Sequence, residues 1–186
     1  MKEKFNAKVK MWFAVCSLFM LMSLASVGFA QTVDLTAEEI NWLTYIREEE
    51  KVARDVYRFL YDKWQSRIFK NISNSEQTHM DAVKTLLDRY GITDPVGQNT
   101  DPLGQDLEAV FFNQNLQAMY DELIDAGSVS LVDALEVGVA IEETDIADLT
   151  AAIASTTHND IKTVYGNLLL GSLNHLEAFE SKLDRR

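Results

Sequence analysis

Acidic and imidazole side chains interrupt apolar stripes at four places in this chain. The stripes read Leu43, Ile46, Glu50, Ala53, Tyr57, Leu60; then Ile72, Glu76, His79, Val83, Leu86; then Val132, Leu135, Val139, Glu142, Ile146, Leu149; then Ile161, Val164, Leu168, Ser172, His175, Phe179. Each has the three-and-four spacing of one face of a helix. Glu76 and His79 are three apart and share a face, and Asp145 lies three beyond Glu142 on its flank. A carboxylate in a helical core costs several kcal/mol unless it is paired or bound to a metal. No lysine or arginine falls on these stripes to pair with them. Glu50, Glu76, Glu142 and Asp145 together carry −4, the charge that two divalent cations offset. Carboxylates mixed with imidazoles suit iron or manganese, with zinc a frequent substitute.

Any one of these residues is weak evidence, because a lone Glu is often half-exposed and a lone Glu-x-x-His arises by chance. The coincidence of four stripes carries the expectation of a metal site. Glu48 and Glu49 fall off the apolar face of the first stripe and read, with Glu136, Glu143 and Glu177, as charges on solvated faces. His158 belongs to a turn-and-cap cluster, and the sequon-like Asn71-Ile72-Ser73 reads as the start of a helix.

Helices must position these residues. Thr36-x-x-Glu39 is a capping box, so the first helix is expected from Thr36 to about Trp64. A second is expected from Asn71 or Ser73 to Gly91, a C-cap glycine. Residues 91–112 carry the turn dipeptides Asp94-Pro95 and Asp101-Pro102 and read as a loop. A short helix follows from about Asn113 to Ala126. The third long helix is capped by Ser128 or Ser130 and turns Val132, Leu135, Val139, Ile146, Leu149 and Ile153 inward. Residues 155–160 form a turn, and a fourth long helix carries Ile161 to Phe179. The pattern predicts an all-α four-helix bundle, two hairpins joined by a long crossover connection between the second and third long helices.

The composition agrees. The chain has 186 residues, two prolines, eight glycines and a net charge of −12. Few turn-formers argue against an all-β chain, and one cysteine excludes a disulfide framework, an iron–sulfur cluster and a cysteine-based zinc site. Lys2, Lys4, Lys8 and Lys10, the apolar run from Met11 to about Leu24, and Gly28-Phe29-Ala30 have the order of a signal peptide. The alternative is an uncleaved anchor. Removing residues 1–30, with four lysines and one glutamate, leaves a domain of residues 31–186 at −15 and without cysteine. So acidic a chain repels nucleic acid and anionic lipid and tolerates cations. The expected location is exported, periplasmic or extracellular, with no membrane association once the signal is cleaved.

The four-stripe arrangement resembles the ferritin-like superfamily, whose pattern is a Glu from each of two helices and a Glu-x-x-His from each of the other two. Glu50, Glu76, His79, Glu142 and His175 match that pattern, and Tyr57 matches a tyrosine often found below the first glutamate. More closely, EEEKVARDVY, NISNSEQTHMDAVKTLLDRYGI, VGVAIEETDIADL and NLLLGSLNHLEAF resemble the DUF2202 family over nearly all of residues 36–180. The departure is Ser172, where the superfamily has Glu before His175; Asp145, one turn after Glu142, is the candidate replacement.

The resemblance implies two divalent metal ions, iron first, bridged by Glu76 and Glu142. Glu50 and Asp145 would be terminal ligands, His79 and His175 would give one nitrogen per metal, and Tyr57 would donate a proton or an electron. The expected reaction is with dioxygen or peroxide, with electrons from an external reductant, since rubredoxin-type cysteines are lacking. The alternatives are a non-enzymatic metal-binding or structural helical module, and iron storage. Storage requires a large assembly; the others fit a monomer or a homodimer.

Overall fold

The computed structural model describes residues 35–185, so the basic and apolar segment read as a signal peptide lies outside the described residues. Five α-helices follow in order: α1 (Ala37–Trp64), α2 (Arg67–Tyr90), α3 (Gln114–Gly127), α4 (Leu131–Ser155) and α5 (Asn159–Asp184). Among the described residues there is no strand beyond one isolated bridge between Thr100 and Asp106. The fold is an all-α helical bundle. No described helix is long and apolar enough to cross a membrane.

Local chemistry sets most boundaries as expected. Thr36 and Glu39 form the reciprocal capping box that starts α1. Gly91, at φ 66°, ends α2 in the left-handed conformation that costs glycine little. Asn113 caps α3, and Ser130 rather than Ser128 caps α4. One boundary differs. The second helix begins at Arg67, so Asn71-Ile72-Ser73 lies inside it with Ile72 and Ser73 buried. The break is only Gln65-Ser66, and Gln65 makes the turn at φ 53° without a glycine.

The four long helices close a ring of neighbours: α1 beside α2, α2 beside α5, α5 beside α4, and α4 beside α1; α3 lies against α1 and α4. Terminal contacts fix the directions. Trp64 Nε1, at the end of α1, donates to the Gly127 carbonyl just before α4, at 2.8 Å. Tyr90, at the end of α2, donates to Asp160 at the start of α5, at 3.0 Å. So α1 runs against α4, α2 runs with α4, and the connection between them must travel the length of the bundle.

It travels along α1. Arg47 binds Asp94 through a forked pair, Lys51 donates to the Leu107 carbonyl at 2.8 Å, and Arg54 holds Asp106. Glu48 accepts from the backbone N–H of Phe112 and Asn113. This corrects the reading of Glu48 and Glu49 as solvated charges. They are 3% and 4% exposed: the end of the connection covers Glu48, and α3 and α4 close over Glu49. Glu143 and Glu177 are exposed as expected. On α4, Val132, Val139, Ile146 and Ile153 are half-buried, while Ala134, Val137, Ile141 and Ala152 join Leu135 and Leu149 in the core. Contact with three neighbours rotates the buried arc of α4 away from a single seam.

Two apolar clusters fill the bundle. One gathers Tyr57, Phe69 and Phe179 with Leu60 and Leu135; the other gathers Leu43, Ile46, Val83, Leu149 and Leu168. Glu50, Glu76, His79, Glu142, Asp145, Ser172 and His175, all buried, belong to neither cluster.

Candidate metal centre

One residue ties the buried polar groups together. Glu76 contributes to two groups of candidate ligand atoms, Glu50–Glu76–His79 and Glu76–Glu142–His175, each with its atoms within 4.8 Å of one another. Its Oε2 lies 2.8 Å from Nδ1 of His79 and its Oε1 lies 2.9 Å from Nδ1 of His175. Glu50 Oε2 is 3.1 Å from His79 Nδ1, and Glu142 Oε2 is 3.5 Å from His175 Nδ1. The two imidazoles stack with centroids 5.6 Å apart.

Helical register explains the convergence. Residues three apart on α2 aim Glu76 and His79 the same way, while α1, α4 and α5 each turn one ligand-type side chain towards them. The far side of each imidazole is set by α2 or α5. His175 Nε2 meets the Ser75 hydroxyl at 3.1 Å. His79 packs on Gly171, where an added Cβ would fall 2.6 Å from its Nε2. Such outer contacts orient metal-binding histidines. Ser75 and Gly171 were not singled out in the sequence; no apolar stripe marks them.

Burial and mutual contact shift every titratable group of the layer. Burial raises Glu50 to about 7, against the opposing pull of His79. Burial and the charge of Glu76 raise Glu142 to about 7. Burial disfavours charge on His79, but Glu50 and Glu76 outweigh it and raise the ring to about 11. In the same way Glu142 and Glu76 raise His175 to about 10. Glu76 feels the cost of burial too, yet contact with both imidazoles holds it below the usual range.

Several atoms in this layer have no hydrogen-bond partner: Glu50 Oε1, Glu76 Oε1, Asp145 Oδ1 and His175 Nδ1. Glu76 Oε1 and His175 Nδ1 are 2.9 Å apart and still not aligned for a hydrogen bond. Buried oxygen and nitrogen atoms this close together could hold a metal ion. The donor set, three carboxylates and two imidazoles, fits borderline divalent ions.

The remaining candidates stand to the side. Tyr57 donates to Glu142 Oε1 at 2.6 Å and packs on Phe179 with centroids 5.3 Å apart. Burial and the charge of Glu142 push its hydroxyl well above its ordinary value, so it keeps its proton. Asp145 reaches the same layer but joins neither group; its Oδ2 pairs with the Ser172 hydroxyl, which also donates to the Leu168 carbonyl at 3.0 Å. Glu142 joins the second group only, so Glu76 is the carboxylate shared by both.

A helical bundle with two buried Glu/His groups thus defines the class of this protein. The DUF2202 family, described as an uncharacterized protein domain, matches residues 39–186, and the chain belongs to it. It is 51% identical over 150 residues to the uncharacterized protein MJ0754 of Methanocaldococcus jannaschii, covering 81% of this chain and 77% of that one. A crystal structure of hypothetical protein MJ0754 superposes with a TM-score of 0.75 at 48% identity, over 88% of this chain and 86% of the other.

Proposed function

We propose that this chain is a ferritin-like di-metal carboxylate protein, exported after loss of residues 1–30, that reacts with dioxygen or peroxide. The observation that carries this reading is the pair of buried Glu/His groups that share Glu76. Glu50, Glu76 and His79 would hold one ion, and Glu76, Glu142 and His175 the other, with Asp145 within the same layer. Iron fits the donor set first, and manganese or zinc second. Two redox metals held by these residues would supply electrons in pairs to one small oxidant.

The chain's own residues do the rest. Glu76 fixes the spacing of the two positions because each of its oxygens faces a different imidazole. The apolar clusters above and below exclude bulk water from the layer. Tyr57 holds a proton 2.6 Å from Glu142 Oε1, which restrains that carboxylate and provides a proton beside the site. Electrons must come from an external reductant, because residues 31–186 contain no cysteine.

The test is anaerobic loading with ferrous ion, then addition of peroxide or dioxygen. Consumption faster than that of free ferrous ion supports the proposal. Tight binding with no acceleration by either oxidant supports the second reading, a metal-binding structural module. The pairing of Asp145 with Ser172 favours that second reading, since it withholds a carboxylate from the second group.

A further inference from the structure

Among the described residues, the large apolar side chains exposed on a helix are Leu170 and Leu173, and both lie on α5, at 60% and 46% exposed. That helix buries Ser172, His175 and Phe179, so the two leucines point away from the candidate metal centre. With Lys162, Gly166, Glu177 and Glu180, all exposed, they make one stripe at the three-and-four spacing of a helix face. Lys162 and Glu180 are 18 residues apart, five full turns, and fall on one line along the helix. The stripe therefore has an apolar middle, a positive end and a negative end. At Gly166 an added Cβ would meet nothing, so the surface there is open. On α4, packed beside α5, the exposed residues after Glu143 are Ala147, Thr150, Ala151 and Ala154, none of them charged.

The end charges have no use within the chain. Among the described residues neither Lys162 nor Glu180 joins an ion pair. A basic residue towards the start of a helix and an acidic one towards its end also oppose the helix dipole. A second copy of the same helix supplies what both lack. Set antiparallel about a two-fold axis between Leu170 and Leu173, each Leu170 meets the partner's Leu173, and each Lys162 comes within one residue of the level of the partner's Glu180. A parallel pairing would set lysine against lysine and glutamate against glutamate. An interface between identical copies must be self-complementary in this way, and an unlike partner has no need of such a match.

We propose that the outer face of α4 and α5 pairs with itself, joining two copies of this chain into a two-fold dimer. Residues 31–186 carry −15, so two copies repel except through a face like this one, where apolar and neutral side chains prevail and the flanking charges are matched. Two helices about 38 Å long and about 10 Å across offer roughly 750 Å², close to the roughly 800 Å² that each partner of a stable complex covers. The dimer stands whether or not the buried layer holds metal.

Sedimentation equilibrium of the purified chain over a range of concentrations, with a chelator present to exclude bridging by metal ions, tests this. The parent should reach twice the chain mass. Leu170→Glu, at a position too exposed to threaten folding, should sediment as a monomer with helical circular dichroism unchanged. Leu103→Glu, on the equally open connection, should remain dimeric. Lys162→Glu should raise the dissociation constant about tenfold, since two ion pairs are lost and two repulsions gained. Adding Glu180→Lys to Lys162→Glu should restore the parent value. A parent chain that is monomeric at every concentration overturns the proposal and leaves the face to an unlike partner. A dimer that survives Leu170→Glu or is lost in Leu103→Glu overturns it as well, because the contact then lies elsewhere. An unchanged dissociation constant in Lys162→Glu, or no rescue by Glu180→Lys, overturns the antiparallel pairing and the proposal with it.

Discussion

Metal binding at this site should release a countable number of protons. Near pH 7 the metal-free layer is already close to neutral. His79 and His175, raised to about 11 and about 10, are imidazolium ions; Glu76, held below the usual range, is ionised, and Glu50 and Glu142 sit near half-protonation at about 7. Two metal ions require both rings neutral and both of those glutamates ionised. Each ring gives up one proton and the two glutamates together give about one more, so about three protons leave per chain. Above about pH 8 the glutamates have already ionised and the number should fall towards two; below about pH 6 it should rise towards four. Calorimetric titration in buffers of different ionisation enthalpy measures this directly. A release below about one proton, constant from pH 6 to pH 8, would refute the reasoning, since the imidazoles would then not be ligands.

Other consequences follow from the same layer. All four groups with raised values bind protons more tightly when folded, so they stabilise the metal-free protein below their unfolded values and lose that contribution as pH rises through the folded ones. The melting temperature of metal-free protein should therefore fall from pH 5 to pH 8, while that of metal-loaded protein should not. Glu50→Gln removes a carboxylate disfavoured chiefly by burial; in denaturant titrations at pH 8 it should stabilise the metal-free chain, by on the order of 1–2 kcal/mol, and weaken metal binding. Gly171→Ala places a methyl 2.6 Å from His79 Nε2; it should lose metal with helical circular dichroism unchanged, and normal binding by this variant would show that the ring has room to move. Lys51→Met leaves Asp55 partly uncompensated in a pair 1% exposed on each side and should cost about 3–5 kcal/mol in denaturant titrations; a change under about 1 kcal/mol would show that Arg54 suffices for Asp55.

The bundle was legible because its signals are local. The capping box at Thr36, the glycine at Gly91 and the spacing of Leu43, Ile46, Ala53, Tyr57 and Leu60 each act within a turn or two. The start of α2 was missed because Gln65-Ser66 holds no glycine or proline, and a non-glycine left-handed residue is not marked in a sequence. Glu50, Glu76, His79, Glu142 and His175 were legible as breaks in apolar stripes, and the structure brings them together. Asp145 was assigned by proximity along α4; the structure buries it in the same layer, beside the Ser172 hydroxyl of α5. Glu49 could not be read at all. Its burial depends on α3 and α4, whose Met119, Ile141 and Thr144 line the same cleft, a tertiary fact that one helix's periodicity does not contain. The sequence did hold a clue in Lys51, Arg54 and Asp55, charges of both signs that an outer face needs when it is to be covered.

The central claim is that Glu76 lies between two metal ions. Anomalous diffraction at the absorption edge of the loaded metal tests it most directly. The account predicts two peaks per chain about 3.5–4 Å apart, one against Glu50 and His79 and the other against Glu142 and His175, with a Glu76 oxygen on each. A single peak, or metal bound only away from Glu76, would contradict it.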